Sequence, residues 1–460
     1  MDSNQVTENV PEAPRQESSN DAEDPGISTS EDLEVNAKFQ AAEQKLDELY
    51  ELHDFFFSKD PNEKRDMLAA AADEIFVLLE ELGPSSNPIE KARSAYIRGK
   101  AADAFAEYSQ EAEEHLQQAV KLNPDHLDSW NTLGHCLWKK KDFLGAKNCY
   151  MRALEQSTNK RSLQELSMVL RQIPGNSEVV LRNLVESLNR AKAAVELDLN
   201  DAKSWYVLGN AHMTRFFKAS FSEADMDKAL QAYQRSERLG GDTNPDLFFN
   251  KANVLMYKEA YQAAADAVRV ALDLDPSLPA QDVLDDIDHF MRRINEMYQR
   301  KGKIKAKRIV QLADQIKNAP AAEGYGSAVG LGDLREGRNE GATLHLKPLL
   351  PVGAADAPPA HFLCVDRTGA AVVLSVYHVD RFLGAGMTDA DTLTVLAPRL
   401  LTVTYARPGA GQGQQSAGEG EGEVRYPCVQ VFDPSLLLQN DRPIARMYAP
   451  PVMATDCFDA

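Results

Sequence analysis

The chain has little cysteine and no cysteine pattern. Cys136, Cys149, Cys364, Cys428 and Cys457 form no C-x-x-C pair and have no histidine at zinc-site spacing. Scattered reduced thiols are the reading, which argues against a disulfide framework or a thiolate metal centre. Long apolar runs are also missing. No stretch approaches the roughly 20 residues that a bilayer-spanning helix needs, and the acidic N-terminus lacks the apolar core of a signal peptide. A cytosolic or nuclear chain with no membrane partner is expected. Catalytic signatures are absent too: there is no G-x-S-x-G, H-E-x-x-H or G-x-x-x-x-G-K-[ST], and no histidine pairs with a plausible nucleophile. Gly324-Tyr325-Gly326 with Gly330 echoes a phosphate loop, but it follows a predicted helix rather than a strand. An enzyme is the weakest class, and no catalytic residue, metal or cofactor is expected.

Basic charge is scarce and unevenly placed. The formal charge of −20 argues against binding nucleic acid over the whole surface. Residues 1–34 hold ten carboxylates and one arginine, so 1–32 are expected to form a disordered acidic tail. Residues 291–308 reverse this, with eight Lys or Arg and only Glu296 opposing them. Such a cluster is the natural local contact for phosphates or an acidic partner.

What the chain does have is a 34-residue period. Ala112, Leu116, Ala119 and Pro124 return as Ala146, Tyr150, Ala153 and Thr158. Trp130, Leu133 and Gly134 open one unit and Trp205, Leu208 and Gly209 another. Ala229, Tyr233 and Ser236 continue the second after an eight-residue insertion, and Phe248, Tyr261, Ala264, Val268, Ala271 and Pro276 give the next. W-x2-L-G at this period is the tetratricopeptide pattern. A degenerate repeat fills roughly Leu163 to Leu199, with Pro174-Gly175 as its inter-helix turn. A single helix pair cannot bury its apolar stripe alone, so repeats stack into a superhelix with a concave groove suited to an extended peptide.

The expected organisation is mainly α, a tetratricopeptide-repeat superhelix followed by a small C-terminal OB-like β-barrel. Residues 33–87 form an N-terminal helical cap from two helices, with Phe55-Phe56-Phe57 packed inside it. Repeats occupy 88–279. Residues 280–317 read as one long capping helix that carries the basic cluster outward. A flexible linker is expected over 318–342. In 343–460 the short apolar runs 344–346, 361–365, 371–379, 393–396, 400–405 and 424–432 suggest the barrel, with a disordered hairpin loop over 408–423. Few basic or aromatic residues decorate those strands, which favours protein docking over RNA binding.

Helix-A positions beside the signature tryptophans face the groove. These are Asn131 and His135, Tyr206 and Asn210, and Asn250 and Asn253. Asparagine offers a donor and an acceptor to a peptide backbone. Arg171 and Asp246 add one charge of each sign, favouring a peptide with adjacent acidic and basic side chains. For any single asparagine, simple solvation competes with this role.

Several strings carry a family resemblance: Ser162 to Gln172 (SLQELSMVLRQ), Ser204 to Asn210 (SWYVLGN), Asn244-Pro245-Asp246-Leu247, Gly99-Lys100-Ala101, Ala119-Val120-Lys121-Leu122 and Lys301 to Arg308 (KGKIKAKR). The chain resembles the tetratricopeptide repeat protein five (Strap) family over roughly 40–315, and more loosely through the barrel, where that family carries an OB domain. The acidic tail and Gly-rich loop depart from the family. The resemblance implies tubulin autoregulation: binding of the nascent tubulin N-terminal peptide, Met-Arg-Glu and a hydrophobe, at the ribosome, and recruitment of an mRNA-deadenylation adaptor. Asp246 then suits the peptide arginine, and Arg171 its glutamate. The basic run, Lys301, Lys303, Lys305, Lys307 and Arg308, would hold the ribosome. It equally implies a second role as a nuclear cofactor of a histone acetyltransferase coactivator. A clamp for a C-terminal Glu-Glu-Val-Asp tail fits poorly, because the paired lysines it needs are missing.

Overall fold

The computed structural model describes residues 30–58, 60–352, 359–378, 387–406 and 423–444. The tail up to residue 29, the loop over 408–422 and Cys457 lie outside the described residues. Two helices, α1 (Ser30–Phe55) and α2 (Pro61–Glu81), precede five helix pairs. These are α3 (Pro88–Ala102) with α4 (Gln110–Leu122), α5 (Leu127–Lys139) with α6 (Phe143–Gln156), α7 (Lys160–Leu170) with α8 (Ser177–Leu197), α9 (Ala202–Arg215) with α10 (Glu223–Arg238), and α11 (Pro245–Tyr257) with α12 (Tyr261–Leu274). Side chains of Asn87, Ser109, Asp142, Asn159, Asn176, Asp201 and Asn244 cap helix N-termini by accepting backbone N–H bonds. The chain therefore carries at least one start signal in each of the five pairs. The triple phenylalanine is not packed inside the α1–α2 hairpin as expected: Phe55 is 67% exposed, and Phe57 lies under the Lys64 ammonium at 4.9 Å.

The eight-residue insertion contains a five-residue π-helical turn, Phe216–Ser220, closed by Phe221 in the left-handed conformation at φ 47°. π turns inside helices are costly and mark built features. Here Phe216 stacks edge-on against Tyr257 at 5.0 Å, and Phe221 against His378 at 4.7 Å. The insertion thus joins the fourth repeat to the C-terminal module.

The single helix expected over 280–317 is two. α13 (Ala280–Gln299) ends in a 3-10 turn at Lys301–Lys303, and α14 (Ala306–Ile316) begins after it. Gly302 takes φ 64°, and a Cβ there would meet Leu350 Cδ1 at 2.5 Å. Both the reversed backbone and the close approach require glycine. The basic segment is folded back onto the barrel instead of projecting outward.

The expected linker is also structured. Within it, β1 (Ser327–Val329) pairs in parallel with β3 (Ala342–Val352), and β2 (Gly337–Arg338) pairs with β7 (Arg399–Ala406). The remaining strands are β4 (Ala360–Asp366), β5 (Ala371–Val376), β6 (Leu393–Leu396), β8 (Glu423–Val431), β9 (Leu437–Gln439) and β10 (Arg442–Pro443). Hydrogen-bonded order is β10-β9-β6-β3-β4-β5-β8-β7-β2. Two residues, Ala397 and Pro398, separate β6 from β7, with Ala397 at φ 47°. The two stretches act as one bent strand, the first half on β3 and the second on β8. The sheet therefore curls into a closed ring of OB type, including the parallel β5–β8 pairing.

Strands β4 and β5 and the second half of β8 are buried on both faces, which explains why apolar residues there do not simply alternate with polar ones. Phe362, Cys364, Val372, Leu374, Val429 and Val431 fill the barrel interior. Their alternates Leu363, Val365, Val373 and Cys428 pack on α12–α14 through Tyr261, Ile287, Met291, Ile294 and Leu312. Among the described residues no helix is long and apolar enough to cross a membrane, and no group of His, Cys, Asp or Glu could hold a metal ion.

A buried polar knot locks this junction. Glu259, in the turn between α11 and α12 and 2% exposed, accepts from the Cys428 thiol at 3.0 Å. The Tyr377 hydroxyl lies 2.9 Å from both Glu259 Oε1 and the Tyr257 carbonyl oxygen, and His361 Nε2 stands 3.6 Å from Oε1. Burial pushes the Glu259 carboxyl up, but His361, the Cys428 thiol and the Ser375 hydroxyl outweigh it and hold the group below its ordinary value. A depressed carboxyl stabilises the fold above its unfolded pKa, and that contribution is lost as pH falls through the folded value. Glu259→Gln should cost about 3 kcal/mol at neutral pH. In urea titrations, the gap to wild type should narrow as pH drops below 4.5.

Candidate functional site

At the concave surface, α7, α9 and α11 lie side by side, and their inward residues enclose a cavity of about 210 Å³. Arg171, Tyr206, Asn210, Asp246 and Asn250 all line it. So do Trp138, Met168, Gln172, Met213, Thr214 and Lys218. Of the other sequence candidates, Asn131 is 2% exposed and accepts a hydrogen bond from Ser162 Oγ at 2.8 Å, joining two repeats. His135 bonds Asp103 at 2.7 Å between α3 and α5 and stacks on Trp138 with ring centres 6.0 Å apart. Asn253 is half-buried one turn beyond Asn250, outside the cavity lining.

Arg171 follows α7 as its C-cap. Its Nε donates to the Ser167 carbonyl at 3.3 Å and its Nη1 to Thr214 Oγ1 at 3.2 Å. Nη2 has no acceptor among the described residues, and Arg171 forms no ion pair with them. Burial lowers the guanidinium from its ordinary value, with Tyr206 and Tyr233 opposing the shift. It remains charged, since arginine does not lose its proton in proteins. Asp246 sits in the first turn of α11, where the helix dipole favours a carboxylate. Desolvation in the concavity raises its carboxyl above the ordinary value, and Asp275 adds like-charge repulsion. It too lacks an ion-pair partner among the described residues. One cation and one anion therefore share a cavity without neutralising each other.

The asparagines between them are held in place. Asn210 Oδ1 accepts from the Tyr233 hydroxyl at 2.7 Å and from Asn250 Nδ2 at 3.1 Å, and Asn250 Nδ2 also reaches the Tyr206 hydroxyl at 3.2 Å. Those bonds fix which end of each amide faces the cavity. Trp138, Met168 and Met213 supply an apolar wall suited to an uncharged side chain. Lys218 comes from the π-helical insertion and donates to the Arg171 carbonyl at 3.2 Å.

Sequence reasoning missed the apolar wall and Lys218. Trp138, one turn beyond His135, and Met168 and Gln172, flanking Arg171 on the same helix, were within reach of helical phase. Lys218 was not, because the insertion breaks the repeat register.

In the basic segment, Lys301 donates to the Gly369 carbonyl at 3.1 Å, and Arg308 grips Asp389 Oδ2 through two nitrogens at 2.7 and 2.9 Å. Both are committed to holding the barrel. Lys303, Lys305 and Lys307 are exposed and pair with no carboxylate among the described residues.

Stacked helix pairs with a charged concave groove, joined to a small closed barrel, define a tetratricopeptide-repeat adaptor or scaffold with an OB module. Residues 127–159 match the tetratricopeptide repeat family, and residues 327–451 match the Tetratricopeptide repeat protein 5 OB fold domain, which begins where β1 begins. Tetratricopeptide repeat protein 5 of Homo sapiens is 30% identical over 438 residues, covering 90% of this chain and 95% of that protein. The Mus musculus protein is 30% identical over 434 residues with the same coverage. The chain belongs to the tetratricopeptide repeat protein 5 family.

Removing the shared acceptor in the groove should be costly. Asn210→Ala leaves the Tyr233 hydroxyl and Asn250 amide short of a partner, and chemical denaturation should register a loss of about 2 kcal/mol.

Proposed function

We propose that this chain is an adaptor that binds the N-terminal peptide of nascent tubulin at the ribosome exit and triggers co-translational decay of tubulin mRNA. The observation that carries the reading is the coexistence of Arg171 and Asp246 in one cavity, each without an ion-pair partner among the described residues. A Met-Arg-Glu-hydrophobe peptide has the complementary pair on adjacent residues. Asp246 would take its arginine, and the free Nη2 of Arg171 its glutamate. Amides of Asn210 and Asn250 and the Tyr206 hydroxyl would face its backbone, and the Trp138–Met168–Met213 wall would take an apolar side chain.

Lys303, Lys305 and Lys307 would make the ribosomal contact, while Lys301 and Arg308 hold that segment to the barrel. Because the segment is folded onto a module locked to the last repeat, groove and basic turn would keep a set separation. An mRNA-deadenylation adaptor would act downstream. The alternative, a nuclear cofactor of a histone acetyltransferase coactivator, has no comparable groove observation behind it.

Fluorescence polarisation with labelled Met-Arg-Glu-Ile tests the reading. Arg171→Ala should weaken binding by about 2 kcal/mol, roughly thirtyfold, and wild type that fails to bind would overturn it. Independently, Lys303→Glu/Lys305→Glu/Lys307→Glu should abolish salt-sensitive co-sedimentation with ribosomes while leaving peptide affinity unchanged.

A further inference from the structure

The face of α9 turned away from the groove borders a second, larger cavity of about 420 Å³. Trp205, Leu208 and His212 of α9 and Ala232 of α10 form its floor. Lys228, Gln231, Gln234, Arg235 and Arg238 of α10 form its wall, and no carboxylate lines it. The two cavities have no lining residue in common. Positions 205, 208 and 212 and positions 206, 210, 213 and 214 occupy opposite sides of the same helix, as a 3.6-residue period requires.

Charge is sorted along α10. Each of its carboxylates is already paired: Glu223 and Asp227 with Lys258, Asp225 with Arg215 and, beneath the cavity floor, with His212, and Glu237 with Lys251. Arg399 of the barrel also takes Glu223. Lys228, Arg235 and Arg238 make no ion pair or hydrogen bond with the described residues. In a chain of net charge −20, three uncommitted cations around a cavity with an apolar floor are not a randomly solvated surface.

We propose that this cavity is a second binding site, for an acidic peptide segment of a partner protein. Lys228, Arg235 and Arg238 lie on one stripe at i, i+7 and i+10. At 1.5 Å per residue they stand roughly 10 Å and 5 Å apart along the helix. An extended peptide rises about 3.3 Å per residue, so carboxylates three residues apart, followed by one a residue or two later, meet that row. A single phosphate would leave one end of the row unmet. Gln231 and Gln234 offer amides for the peptide backbone between the charges. Single-stranded nucleic acid would call for stacking platforms in series. The lining holds one such ring besides His212, Trp205, and its indole N–H is already bonded to the Leu199 carbonyl at 3.0 Å. The adaptor thus has two distinct peptide sites on opposite sides of one helix, and this second site does not depend on what fills the groove.

The test uses the full chain and a fluorescein-labelled hexaglutamate peptide at low salt. Lys228→Ala/Arg235→Ala/Arg238→Ala should weaken binding at least tenfold, with its melting curve unchanged because all three side chains are exposed. Arg182→Ala/Lys192→Ala, which removes exposed cations from neighbouring α8, should change it less than twofold. Equal losses in the two variants, or none in the first, would overturn the site. A hexauridylate bound more tightly than hexaglutamate through the same three residues would overturn the peptide assignment. Markedly tighter hexaglutamate binding after deletion of residues 1–29 would make the chain's own acidic segment the occupant and overturn the partner.

Discussion

In three of the five helix pairs the first helix lets the second come closer than a side chain at the crossing would allow. A Cβ added at Gly99, Gly134 or Gly209 would fall within 3.0 Å of Leu116, Tyr150 or Tyr233 respectively. That spacing turns helix pairs into thin, stackable units, and the large side chain opposite each glycine fills the layer at the density of a protein core. It also reaches the functional surface. Tyr233, seated over Gly209, passes its hydroxyl through the layer to Asn210, which in turn orients Asn250. The groove's polar floor is therefore set from the back by core packing, the arrangement that keeps a binding site rigid.

The same logic extends to the junction with the barrel. Besides the apolar packing of α12–α14 on the sheet, three features help hold it: the Glu259 knot, the aromatic cluster around Phe216 and Tyr257, and the folded-back segment fixed by Lys301 and Arg308. All three draw on residues that interrupt regular structure. Glu259 sits at φ 61°, the insertion contains a π-helical turn, and Gly302 reverses the chain. Departures from the repeat are thus where the repeat array meets the barrel.

This explains what could be read from the sequence and what could not. Helix pairs were legible because Trp, Leu, Gly, Ala and Tyr recur in phase, and the strands because short β-branched runs alternate with turn residues. Tyr206, Asn210 and Asn250 followed from helix-A phase, and Arg171 and Asp246 from being charges of opposite sign at the ends of such helices. Asn131 and His135 have the same phase but serve contacts between successive repeats, with Ser162 and Asp103, and phase cannot tell an amide facing a ligand from one facing a neighbour. The helix over 280–317 looked continuous because its apolar stripe persists across Gly302, whose left-handed turn is dictated by Leu350, a residue distant in the chain. Residues 318–342 looked like linker because β1 and β2 are two or three residues long and get their order from β3 and β7.

The account rests on Arg171 and Asp246 reading opposite charges on adjacent residues of one peptide, and a charge exchange tests this most directly. The doubly exchanged protein, Arg171→Glu with Asp246→Arg, should bind Met-Glu-Arg-Ile in preference to Met-Arg-Glu-Ile, reversing the preference of the wild type. If both proteins prefer the same peptide, or neither distinguishes them, the two residues do not read the ligand and the assignment of the groove is wrong.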